Sequence, residues 1–130
     1  MQDPPAPREV LAAVARFLKE EVAPAVSGHV AFQARVAANA LEMMGRHLDL
    51  APAAEVAEHG RLATLLGRDG DLTSLTAELS RRLAAGEVDL STPGLADHLW
   101  ATTLAKMAVD QPSYAAYRAS LAERGERAPT

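Results

Sequence analysis

Lys106 and Asp110 stand four residues apart in "LWATTLAKMAVDQPSYAAY", residues 99–117, a helical stretch that is otherwise apolar and ends at Pro112. At about 3.6 residues per turn, Leu95, Leu99, Thr103, Lys106 and Asp110 share one sector, so the stripe begins apolar and ends polar. Lysine preceding aspartate is the weaker orientation of an i,i+4 ion pair. Asp110 also falls in the last turn, where the helix dipole disfavours an anion. Two readings are open. The pair caps the kink at Pro112, or it belongs to a ligand or partner surface that Gln111 and Tyr114 continue. A polar cluster here should draw in Arg35 or Asn39 from an earlier helix. There Arg35, Asn39, Glu42 and Arg46 fill the strip between two apolar stripes. That strip suits a solvated face with helix-supporting charge pairs, although asparagine is a poor interior helix residue and needs a reason to be there.

The remaining chemistry-bearing residues form no recognisable catalytic pattern. The four histidines, His29, His47, His59 and His98, make no i,i+3 or i,i+4 pair with one another. Glu55 and His59 are four apart, yet a metal site needs two further ligands from elsewhere. His47 and His59 fall on apolar stripes, which predicts partly buried histidines with their hydrogen bonds satisfied. No Gly-x-Ser-x-Gly elbow and no cysteine offers a nucleophile. "GRDGD", residues 67–71, lacks the lysine of a phosphate-binding loop and the later oxygen ligands of a calcium loop, so it reads as a polar turn. Neither a catalytic residue, nor a metal, nor a cofactor is assigned.

Composition narrows the class. With 130 residues the chain is long enough for a hydrophobic core without disulfide or metal staples. The absence of cysteine fits a reducing compartment. The N-terminal "MQDPPAPREV" is acidic and proline-rich, unlike a signal peptide. No run approaches the roughly 18 apolar residues of a membrane span. These features lead to an expectation of a cytoplasmic protein with no membrane association. A net charge of −4 with no basic stripe argues against nucleic acid. Alanine is the commonest residue and arginine greatly outnumbers lysine, both good helix formers, while aromatic and β-branched residues are scarce, which favours helix over sheet.

Prolines and glycines divide the chain into helical segments that would position these residues. The first runs from near Pro7 to Ala23 and is ended by Pro24, with Val10, Leu11, Val14, Leu18 and Val22 on one stripe. Ser27 caps a second that continues to about Leu50. It carries two stripes, Val30, Ala34, Ala37, Leu41, Met44 and Leu48, and Phe32, Val36, Ala40 and Met43. A third spans Pro52 to Leu66, with Val56, His59, Leu62, Ala63 and Leu66 inward. Asp71 caps a fourth that Gly86 closes. Ser91 or Thr92, with Pro93 in the first turn, opens a fifth that ends at Pro112. A short sixth carries Tyr114, Tyr117 and Leu121, and residues after about Arg124 should fray. The fold class expected is all-α: a single-domain antiparallel bundle over residues 1–130, ordered from about 8 to 124. It has five main helices plus a short C-terminal one, with the second and fifth at the centre. Phe17, Leu65 and the second stripe of the second helix need cover, so a homodimer is expected.

"AFQARVAANALEMMGR" and "ATTLAKMAVDQPSYAAYR", with "FLKEEVAP" and "RLATLLG", resemble the motifs of an uncharacterised bacterial family of small helical proteins, a domain of unknown function. The resemblance covers about residues 8 to 120. It marks Phe32, Arg35, Asn39, Thr103, Lys106, Asp110, Gln111, Pro112 and Tyr114 as parts of recurring motifs. "YAAYR" departs from the pattern, which more often has serine after the tyrosine. Members are typically encoded beside an aminoglycoside-phosphotransferase-like kinase and an acyl-CoA dehydrogenase, and the resemblance implies these two as partners. The function expected is a non-catalytic accessory, scaffold or regulatory protein in acyl-CoA metabolism. The alternative is a binder of small molecules or acyl groups with modest catalytic activity. Co-purification with the neighbours would favour the first, and a thermal shift with acyl compounds the second.

Overall fold

The structure is a computed structural model that describes residues 4–125, and every regular element among them is helical. In chain order these are α1 (Pro7–Phe17), a π-helical turn (Leu18–Val22) running into a short helical turn (Ala23–Ala25), α2 (Gly28–Leu66), α3 (Leu72–Ala84), α4 (Leu95–Asp110) and α5 (Ala115–Glu123). The all-α expectation holds. The expected fraying after Arg124 falls mostly on residues outside the described ones.

Two prolines expected to mark helix boundaries, Pro24 as a stop and Pro52 as a start, do not. Pro24 lacks an N–H and its ring crowds the carbonyl four residues back. The chain relieves this by widening: the Ala23 N–H reaches the Leu18 carbonyl, an i→i−5 bond, and helical geometry persists to Ala25. Pro52 lies inside α2, so the second and third expected segments are one helix and the count falls to four main helices and a short last one. A helix-interior proline costs about 3 kcal/mol. Here Ala51, Ala53, Ala54 and Glu55 surround it, and strong helix formers on both sides carry the helix through.

By internal contacts the chain forms two units, Met1–Asp49 and Leu50–Thr130. The first is a helical hairpin. Its seam is built from small residues: Ala15 and Ala23 from one arm, and Ala31, Ala34, Ala38 and Gly45 from α2, are all buried. Arg8 pairs with Asp49 and Lys19 with Glu42 (Nζ to Oε1, 2.7 Å), which fixes the arms as antiparallel. At Gly45 the arms come close: a Cβ would lie 2.7 Å from the Arg8 guanidinium, so any side chain there must push Arg8 aside.

The second unit packs around leucine. Leu62 and Leu66 of α2, Leu75 and Leu79 of α3 and Leu95 of α4 form the core, with Ala63, Leu65, Leu72 and Val88 against it. Val56, expected inward, is instead exposed. Asp71 caps α3 as expected, its Oδ1 accepting the Ser74 N–H at 2.8 Å, and Gly86 follows the C-cap Ala85 at φ +69°. The start of α4 differs from expectation. Gly94, at φ +86°, is the N-cap, and no side chain caps the helix. Ser91 and Thr92 are drawn into the preceding turn instead. Asp89 Oδ1 accepts the Ser91 N–H at 2.8 Å, and Thr92 Oγ1 accepts the Asp89 N–H at 3.0 Å. α4 ends at Asp110, just ahead of Pro112, as expected, and Tyr117 and Leu121 anchor α5.

Candidate functional site

A cleft of about 430 Å³ opens in the second unit. One wall is the stretch of α2 bearing Gly60, Arg61, Thr64 and Leu65. The other is Pro93, the N-cap Gly94, and Asp97 in the first turn of α4. Helical spacing explains the α2 wall, since positions 60, 61, 64 and 65 share one face. The opposite wall depends on Gly94, whose left-handed backbone turns the chain into α4 close to Leu65.

Arg61 is the cation of this cleft. Its Nη2 donates to Thr102 Oγ1 at a long 3.4 Å, while its Nε is buried without a partner. No carboxylate among the described residues forms an ion pair with it. One turn into α4, His98 is 4% exposed and its Nδ1 is likewise buried and unpartnered. Burial pushes the His98 imidazole below its ordinary pKa, and the Arg61 charge lowers it further, with Glu58 opposing. The ring therefore stays neutral near pH 7 beside a guanidinium that lacks a counterion. The arrangement suits recognition of a negative group.

The residues singled out from the sequence lie elsewhere. Arg35 and Asn39 are exposed on α2 within the first unit. Thr103, Lys106, Asp110, Gln111 and Tyr114 are exposed in the second. Thr103 Oγ1 donates to its own helix at the Leu99 carbonyl, 2.8 Å away. Among the described residues Lys106 and Asp110 do not pair with each other. Water explains this: two exposed ends at the weaker orientation gain too little to offset the entropy of holding both side chains. Of the histidines expected to be satisfied, His59 is half-buried, with Nε2 2.8 Å from the Gly70 carbonyl. His47 is exposed. No three of His, Cys, Asp and Glu among the described residues gather as a metal site would require.

A family profile, described as a domain of unknown function (DUF6285), matches residues 24–114. The chain belongs to this family. The match contains the cleft and the residues marked by the sequence motifs, and leaves α1 and α5 outside it. No curated protein matches the chain, and no solved structure does. Within the family's span, Arg61, Asp97 and His98 were not singled out from the sequence as members of one site. The available signal was Arg61 itself, an arginine set among Leu62, Ala63, Leu65 and Leu66 within "RLATLLG".

Proposed function

We propose that the protein is a non-catalytic accessory subunit that binds a protein partner through one face of its N-terminal hairpin. The supporting observation is that this hairpin has two unlike sides. The ion pairs Arg8–Asp49 and Lys19–Glu42 mark one. Helical phase places Val10, Val14 and Phe17 of α1 beside Val30, Met44 and Leu48 of α2 on the other, and all six are exposed, Phe17 by 56%. Monomeric proteins rarely leave large contiguous apolar faces open to water, and a face that gathers six exposed apolar side chains is the kind that marks an interface. The partners it would serve are the phosphotransferase-like kinase and acyl-CoA dehydrogenase implied by the family resemblance, within acyl-CoA metabolism in the cytoplasm. Exposed Arg35 and Asn39 on the same hairpin, and Thr103, Lys106, Asp110, Gln111 and Tyr114 on the second unit, offer polar contacts to such a partner. Co-expression of the full chain with both enzymes, followed by affinity capture, tests the reading. Stoichiometric recovery of either enzyme supports it. Recovery of the protein alone, as monomer or as homodimer, contradicts it.

A further inference from the structure

We propose that the cleft between Gly60–Leu65 and Pro93–Asp97 is a binding site for a small molecule bearing an oxyanion, with Arg61 as the residue that holds it. This goes beyond the accessory role and stands on different residues.

A guanidinium taken partly out of water needs a counterion or a full set of acceptors, because desolvation otherwise costs several kcal/mol per ion. Arg61 has neither. Its one hydrogen bond is long and reaches a neutral hydroxyl, and its Nε has no acceptor in a position that water does not reach. Arginines elsewhere in the chain show the usual solution. Arg81 and Arg82 both engage Glu78, and Arg8 engages Asp49. Arg61 differs from these in lining a cavity, and the cavity is large enough for a compact organic acid or phosphate ester. Planar guanidinium donors match carboxylate and phosphate oxygens geometrically, which makes an oxyanion the fitting occupant.

Two neighbours refine the ligand. His98, held neutral by burial, adds no positive charge of its own near pH 7, which leaves the attraction to Arg61. Asp97 lines the same cleft with a carboxylate. It repels a bare anion, so it selects against high negative charge and favours a ligand that presents a hydroxyl or amino donor alongside its oxyanion. Leu65 and Pro93 supply an apolar surface for the carbon skeleton between them.

Titration of the ¹⁵N-labelled full chain with inorganic phosphate and, separately, with acetate tests this by NMR. The expected result is a saturable shift of the Arg61 Nε–H resonance and of backbone amides at Gly94 to Asp97, with either anion. Arg61→Gln should weaken binding at least tenfold while its spectrum stays dispersed. Asp97→Asn, which removes the opposing carboxylate, should tighten binding several-fold. Should Arg61→Gln fail to fold, the Asp97→Asn comparison carries the test alone. Linear, unsaturable shifts with both anions, or shifts confined to residues away from the cleft, would overturn the proposal. So would an Asp97→Asn variant that binds no tighter than the parent.

Discussion

A buried imidazole with an unpartnered nitrogen is a liability, and replacing His98 with leucine should therefore raise stability. In the native protein His98 is 4% exposed and its Nδ1 finds no hydrogen-bond partner. Leaving such a group unsatisfied costs about 1–3 kcal/mol. Leucine removes that cost and adds apolar surface next to Leu95, while the imperfect shape match returns less than about 1.5 kcal/mol. A net gain of about 1 kcal/mol is expected at pH 7.5. With about 2.1 cal/mol/K of unfolding entropy per residue, a chain of 130 residues shifts its midpoint by roughly 4 °C per kcal/mol. Acid should widen the gap. The folded-state pKa of His98 lies below its ordinary 6.5, so the unfolded chain binds the proton more readily. The stability linked to His98 is thus complete above pH 6.5 and is lost as the pH falls through the folded-state value. Leucine does not titrate. Urea unfolding of parent and variant at pH 7.5 and pH 5.5, compared at unchanged m-value, measures both effects. A variant less stable than the parent at both values would show that the ring makes a favourable interaction and would refute the reasoning.

Other consequences are simpler to state. Asp71→Ala removes the acceptor for the Ser74 N–H at the start of α3 and should cost about 1 kcal/mol in a thermal melt. Gly45→Ala sets the helix-propensity gain of about 0.8–1.0 kcal/mol against a Cβ that forces the Arg8 side chain aside. The Arg8–Asp49 pair is over 40% exposed on both sides and carries little, about 0–1 kcal/mol. The variant should therefore be neutral to slightly more stable, whereas Gly45→Leu should open the hairpin. Arg81 and then Arg82 hold the Glu78 carboxyl at about 2 instead of its ordinary 4.5. A depressed carboxylate contributes stability above pH 4.5 and loses it as the pH falls towards 2, so Glu78→Gln should flatten the acid limb of an unfolding titration.

Three helix ends were legible because a residue sets each of them locally. Asp71, Gly86 and Pro112 each terminate an element through hydrogen bonding or backbone geometry within a few residues of themselves. Pro24 and Pro52 were misread because their effect depends on the surroundings. A widened turn absorbs the first, and alanine-rich flanks carry α2 past the second. The opening of α4 went to Gly94 because Ser91 and Thr92 found partners one turn earlier, around Asp89, a competition that residue type alone does not decide. The cleft was hidden for a related reason. Arg61 reads as one charge in an apolar run, and it becomes distinctive only when Thr102 and the turn at Gly94, 33 or more positions later, come alongside it. Lys106 and Asp110 drew notice by spacing, yet exposure to water leaves that pair without force.

The proposed accessory role rests on the apolar side of the hairpin, and placing charge on that side is the most direct test. A double variant, Phe17→Glu with Leu48→Glu, places one carboxylate on each arm of that face and leaves the alanine seam untouched. Affinity of the purified chain for the co-captured kinase or dehydrogenase would be measured for the parent, for this variant and for Arg35→Ala. Loss of two central apolar anchors is worth about 2 kcal/mol or more each. The account accordingly predicts at least a hundredfold weakening for the double variant, an unchanged helical spectrum, and an effect of less than about fivefold for Arg35→Ala. Undiminished binding by a folded double variant would contradict it.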